Sequence, residues 1–324
     1  MLKQKDLEKA AEMLRGKIIE TPVHYWDSPE SQDLKTLGIS PFMKLELFQH
    51  TGTFKARGAL LNALALSADE RSRGVTAVSA GNHAIATAWA AHQVGTSAKV
   101  VMLSSASKIR VEKCEAYGAE VIMCDDIHGA FDLVRQIEQD EGRTFIHPFE
   151  GGNVALGTGT IGLEMMAQIP NLDSVIIPIG GGGLISGISA AIKAMNPKIK
   201  VYGVEPEGAQ SMTISLAKGE PSAIDSVKTI ADSLGAPHAA PYSFSLVQQC
   251  VDDVVIISDD QMKDAMRKIF TGLKLAVEPA GAAATAALMG PLKEKVANQN
   301  VGVIVCGANI AVSDFCKIAH NDMA

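Results

Sequence analysis

Basic residues never cluster in this chain. No run of five or six lysines and arginines occurs, and the formal net charge is −7. That argues against nucleic acid or an anionic membrane as the main partner. Long apolar runs are missing too, since nothing approaches the roughly 18 consecutive apolar residues of a membrane span. The opening MLKQKDLEKAAEMLRGKI has neither an apolar core nor a cleavage site, so it reads as an amphipathic helix rather than a secretory signal. Paired cysteines are lacking. Cys114, Cys124, Cys250, Cys306 and Cys316 are odd in number and widely spaced, with no Cys-x-x-Cys pair. This leaves no basis for a disulfide framework or a structural zinc site. Aromatic residues make up only 5% of the 324 positions, whereas 47% are hydrophobic. No internal repeat, low-complexity tract or long linker divides the chain, which suits a globular protein of one large or two modest domains.

What is present is alternation. Short, β-branched, nearly all-apolar stretches are expected as strands over 75–80, 98–103, 120–124, 174–179, 201–205 and 302–306. Helical stretches fall between several of them, over 82–93, 107–116, 130–141 and 184–195. Such strands fit parallel sheets covered on both faces, and the alternation predicts an α/β fold of doubly wound open sheets. Two breaks stand out: a turn-rich stretch over 147–159 and a loop-like stretch over 219–240. The expected organisation is a small α/β domain over 71–149 and a large domain made of 1–70 together with 150–324.

Four segments carry chemistry. The first is HTGTFKARGA over 50–59, where Lys55 stands between Phe54 and Ala56 at the start of a helical apolar pattern. A lysine turned inward there would be desolvated, its pKa lowered and its amine made nucleophilic. An activated amine condenses with aldehydes. An ordinary helix-surface lysine is the competing reading of this segment alone. The second is IPIGGGGLISGISAAIKAM, in which a buried strand ends in Gly180, Gly181, Gly182 and Gly183 and a helix follows at once. Glycines let backbone N–H groups approach an anion, and a helix N-terminus favours one. The pattern matches neither G-x-G-x-x-G nor a P-loop, so it suits a single phosphate better than a dinucleotide. The third segment is Ser79, Ala80, Gly81, Asn82, His83. Its polar groups can hold a carboxylate or a hydroxyl, or simply cap a helix. In the fourth, Val303 to Asn309, Cys306 offers a polar, un-ionised atom at a strand end, or a merely buried thiol.

In this order and spacing, the four segments resemble the fold-type II pyridoxal-phosphate enzymes with a tryptophan synthase β-like architecture. The likeness runs from Glu20-Thr21-Pro22 to Asn309 and is greatest to the serine/threonine dehydratase and serine racemase branch. The resemblance implies pyridoxal 5'-phosphate as cofactor in an interdomain cleft. Lys55 matches the Schiff-base lysine and Phe54 the aromatic residue beside the ring. Asn82 matches the partner of the ring hydroxyl, Gly180 to Gly183 the phosphate loop, and Cys306 the partner of the pyridine nitrogen. Ser79, Ala80, Gly81, Asn82 and His83 match the loop that receives the substrate.

The activity implied is β-elimination from a β-hydroxy amino acid, L-threonine or L-serine first, to a 2-oxo acid and ammonia. A racemase of the serine type with side dehydratase activity is the alternative, as is a dehydratase for another substrate such as hydroxyaspartate. Racemases of the branch carry a second serine where this chain has Ala80, which favours the dehydratase. A nucleotide-binding module leaves Lys55 and Cys306 unexplained. Glu205 matches the first ligand of a divalent cation in some relatives, but the second would fall at Ser211, so no metal is expected. Glu278, before an Ala-rich helix, caps it or acts near the cofactor. Asp232 to Ala236 and the region of His128 are candidate pocket walls. A cytoplasmic homo-oligomer acting on a small amino acid, without a regulatory domain, completes the expectation.

Overall fold

The computed structural model describes residues 2–79 and 81–320, the side chains of residues 127 and 128 falling outside that description. Ten strands are present among the described residues: β1 (Val23–Tyr25), β2 (Ser40–Lys44), β3 (Val75–Val78), β4 (Ala98–Leu103), β5 (Glu120–Cys124), β6 (Thr144–Phe145), β7 (Ser174–Pro178), β8 (Lys200–Pro206), β9 (Asp253–Ile257) and β10 (Asn300–Ile304). They form a six-stranded sheet of order β1-β2-β10-β7-β8-β9 and a four-stranded sheet of order β5-β4-β3-β6. Every pairing is parallel except that of β1 with β2. The expected α/β architecture with parallel sheets is present. All residues of β3 and β7 are buried, as strands covered by helices on both faces must be. Among the described residues no helix is long and apolar enough to cross a membrane.

Several boundaries differ from the expectation. β10 ends at Ile304, so Cys306 follows the strand instead of closing it. Only the first part of 147–159 is a break, because a helix runs over Gly152–Gln168. Its glycines serve close packing. A Cβ on Gly157 would lie 2.7 Å from the Cα of Gly58, so this helix and the helix Lys55–Leu64 touch backbone to backbone. One helix further on, a Cβ on Gly159 would lie 3.3 Å from the carbonyl oxygen of Gly187 in Gly183–Met195. Close packing of these three helices brings the lysine segment and the glycine loop together.

A buried ionic cluster fixes the same region. Arg57, two residues past Lys55, is fully buried and donates to Glu46 at 2.8 and 2.9 Å and to Glu164 at 2.5 and 2.8 Å. Lys44, at the end of β2, donates to Glu164 at 2.5 Å, Gln168 at 2.9 Å and the Thr21 carbonyl at 2.7 Å. Buried charges are tolerated when paired and hydrogen-bonded this fully, and removing one partner is strongly destabilising.

Candidate active site

Three strands deliver residues to one place. β3 leads to Ser79, Gly81 and Asn82, β7 to Gly180–Gly183, and β10 to Cys306. Crevices beyond the carboxyl ends of parallel strands are the usual ligand sites of open α/β sheets. Lys55 arrives separately, as the first residue of its helix. The approach passes through Thr51 (φ 68°) and Gly52 (φ 77°). Thr53 then bridges Gly307, and the Phe54 N–H donates to the Cys306 carbonyl at 3.2 Å. The lysine segment is thus joined by backbone pairing to the end of β10.

One cavity is lined by Phe54, Lys55, Asn82, Gly180, Gly181, Gly182, Gly183 and Cys306, together with Phe149, Ser233 and Glu278. A second, of about 180 Å³, shares Lys55 and Asn82 and adds Ser79, Gly81 and His83. Every described residue singled out from the sequence lines one or both. Ala80 lies outside the described residues. Of the looser candidates, Asp232, Ser233, Gly235 and Ala236 line the second cavity, and the side chain of His128 lies outside the description.

Electrostatics distinguish the groups. Burial lowers the Lys55 amine to about 8, although Cys306 and Glu278 nearby favour its charged form. It donates to the Pro148 carbonyl and sits 5.1 Å from the centre of the Phe54 ring. Burial raises the Cys306 thiol well above its ordinary value, so it stays neutral, and its Sγ donates to the Ala280 carbonyl at 3.2 Å. His83 is pushed down to about 3 by burial and by Lys55, and its Nε2 lies 2.7 Å from the Ile146 carbonyl. A neutral ring next to a carbonyl must donate through that nitrogen. Asn82 donates to Glu278 at 2.7 Å and to Ser233 at 3.1 Å, and accepts from Asn309 at 2.8 Å.

The glycine loop is held from behind. Ser243 donates to the Gly181 carbonyl at 3.1 Å, and Thr158 to the Gly183 carbonyl at 2.8 Å. Gly182 has φ 93°. A Cβ on Gly183 would lie 2.7 Å from the Cα of Phe149, and one on Gly181 would overlap the Phe149 ring. With its carbonyls occupied and no side chains, the loop presents the N–H groups of a helix start, which lack intrahelical acceptors.

Reading the sequence missed the residues that close the cleft. Arg110, on the helix Lys108–Ala116, is buried and reaches Asp232 and the Asn309 carbonyl, the latter at 3.1 Å. It also stands 3.8 Å from Glu278. Phe149 was passed over as part of a turn. Arg110 gave no signal, being one charge among several on a helix.

Residues 14–307 match the family model described as "Pyridoxal-phosphate dependent enzyme". The chain belongs to that family. Its cofactor is pyridoxal phosphate. A phenylserine dehydratase of Ralstonia pickettii is 51% identical over 280 residues, 86% of each chain. An L-threonine ammonia-lyase of Thermotoga maritima is 36% identical over 324 residues, all of this chain and 79% of that one. The structure of maize serine racemase superposes with a TM-score of 0.91 at 33% identity, covering 97% of this chain and 96% of that one.

The residues present fit this cofactor. Gly181 and Gly183 must stay bare because a Cβ on either would clash with Phe149, and a loop without side chains lets its backbone N–H groups approach a phosphate. A desolvated amine, a neutral thiol and an amide share its cavity. Glu278 Oε2 is buried there without a hydrogen-bond partner, an acceptor left open toward the same space. Glu205, by contrast, is occupied: its carboxylate accepts from the Met212 and Thr213 N–H groups at 2.8 Å and from the Thr213 hydroxyl at 2.6 Å. It caps the helix Ser211–Lys218.

Proposed function

We propose that this chain dehydrates a β-hydroxy amino acid, with Lys55 as the residue that carries the cofactor and then moves the α-proton. The observation that carries this reading is the position of Lys55. Its amine, lowered to about 8, lies between the glycine-loop cavity and the cavity of Ser79, Gly81 and His83. The relatives named as phenylserine dehydratase and threonine ammonia-lyase support the reaction class.

The roles follow from the chemistry of each group. When bound, pyridoxal phosphate supplies an electron sink for the pair left on Cα. Backbone N–H groups of Gly180 to Gly183 would hold its phosphate, Phe54 would flank its ring, and Asn82 would bind the ring hydroxyl. Cys306, a neutral thiol, would face the ring nitrogen without holding a proton on it as a carboxylate would. Ser79, Gly81, Asn82 and His83 would receive the substrate carboxylate. Lys55, which lines both cavities, would take the Cα proton. Water leaves from Cβ. The released enamine takes up one water to give a 2-oxo acid and ammonia.

Borohydride reduction of the holoenzyme followed by peptide mass spectrometry should place the cofactor on Lys55. Lys55→Ala should lower 2-oxo acid release by at least about 10³-fold. A label on another residue, or none, would sink the assignment. Racemisation is the second reading, favoured by the likeness to maize serine racemase. Ala80 carries no group able to exchange a proton, so chiral analysis of recovered serine should show little inversion. We take the two sheets as two domains bounded at 71–149, and the enzyme as a cytoplasmic homo-oligomer.

A further inference from the structure

Building on the dehydratase reading, we propose that the β-substituent of the substrate is an aryl ring and that Phe131 selects it. The aromatic residues are few, yet two phenylalanines face the substrate cavity. Besides polar residues such as Arg110, Asp232 and Ser233, its wall includes Phe131, Pro148, Phe149, Pro237 and His238. The Phe149 and His238 rings meet at 5.7 Å and 61°, and His147 backs Phe149 at 4.6 Å and 89°. Edge-to-face geometry of this kind is what aromatic rings prefer, and a further ring can join it.

Size and charge agree. The cavity has a volume of about 180 Å³. It also shares Arg110, Asp232, Gly235, Pro237 and His238 with a wider cleft of about 950 Å³, so a substrate longer than threonine has somewhere to extend. A β-carboxylate, as in hydroxyaspartate, finds no free cation among these lining residues. Arg110 is engaged by Asp232 and the Asn309 carbonyl, and Lys55 is needed for the reaction. A methyl group would leave the Phe131 wall untouched.

The balance is that of any dehydration and deamination. The Cα–H and Cβ–O bonds break and one water leaves. The enamine then takes up one water, releasing ammonia and an aryl 2-oxo acid, with no external oxidant or reductant.

Phe131 is the residue to test because Phe149 also packs on the cofactor loop. Phe131 lies on the helix Ile127–Glu141 and packs on the core around Val78 and Val134. With wild-type holoenzyme, kcat/KM for phenylserine should exceed that for threonine by roughly 10–100-fold. Phe131→Ala should lower that ratio about tenfold, mainly through KM, with the cofactor absorbance band retained. Phe131→Leu, which keeps the packing and removes the ring, should lower it in the same direction. Turnover of threonine or serine in preference to phenylserine overturns the aryl assignment alone. An unchanged ratio in Phe131→Leu overturns the role of Phe131. If no β-hydroxy amino acid yields a 2-oxo acid, the dehydratase reading falls with it.

Discussion

The two walls of the cleft are built by different means. The cofactor wall consists of contiguous stretches of chain: four glycines in a row, a lysine beside a phenylalanine, a cysteine just past a strand. Its working groups are backbone N–H groups and short side chains whose placement depends on local turns. The substrate wall is assembled from side chains far apart in sequence. Arg110 meets Asp232 122 residues later, and Phe131, Phe149 and His238 come from three separate segments. A wall of backbone groups tolerates no added atom. A wall of side chains can be re-cut one residue at a time, which is how one chemistry serves several substrates.

The largest effect should come from adding one carbon to the cofactor wall. Gly181→Ala would drive a methyl group into the Phe149 ring, an overpacking that typically costs about 1–3 kcal/mol. Cofactor affinity should therefore fall by about 10–100-fold, as read by titration of the apoenzyme. Gly235→Ala is the matching change on the other wall. Its Cβ would meet the end of the Val227 side chain at 2.9 Å and the Asp232 carbonyl at 3.1 Å. Cofactor affinity should move by less than about threefold there, and equal losses at both sites would dissolve the distinction between the walls.

The same distinction explains what was legible from sequence. Apolar β-branched runs announced β3, β4, β7, β8 and β10 because a strand buried on both faces is largely apolar, and β5 by the same pattern although none of its residues is buried. β2 was missed: it carries Pro41 and ends on Lys44, whose burial is made tolerable by Glu164, 120 residues away. Strands of two or three residues, such as β6 and β1, are too short to show periodicity. The glycines of Gly152–Gln168 were read as turn-formers, although they are needed for helix contact. At the site, Lys55, the glycine loop and Cys306 were legible because each sits in a short local motif of its own. Arg110, Phe131 and His238 were not, since only the fold says what they face.

Glu278 stands where the walls meet, and there a smaller effect is expected. Burial raises its carboxyl from 4.5 to about 7, with Arg110 opposing. The folded protein keeps a proton that the unfolded chain gives up as pH rises from about 4.5 to 7. The carboxyl therefore subtracts stability progressively across that window, and in full above it. Glu278→Gln should stabilise the apoenzyme by about 1–3 kcal/mol at pH 8 and change little at pH 4. Denaturant titrations at the two pH values would reveal it, and equal stability at pH 8 would mean that Glu278 is not desolvated.

The smallest effect is a test of Lys55 before any chemistry on substrate. Its amine, at about 8, is still protonated in most molecules at pH 7. Only the neutral form is nucleophilic, so the rate of cofactor uptake by apoenzyme should climb with pH as the proton leaves. For a pKa near 8 the climb from pH 7 to 9 is about tenfold and then flattens, whereas an ordinary lysine near 10.4 would give about 100-fold and go on rising. The position of the plateau therefore measures how dry the amine is. Because Pro148, whose carbonyl accepts a hydrogen bond from Lys55, also lines the substrate cavity with Phe149, Phe149→Ala should admit water and move that plateau to higher pH. Phe131→Ala, which does not touch the cofactor cavity, should leave it in place. A common shift would mean that Phe131 as well as Phe149 keeps water from Lys55, and the substrate wall would then tune the cofactor amine too.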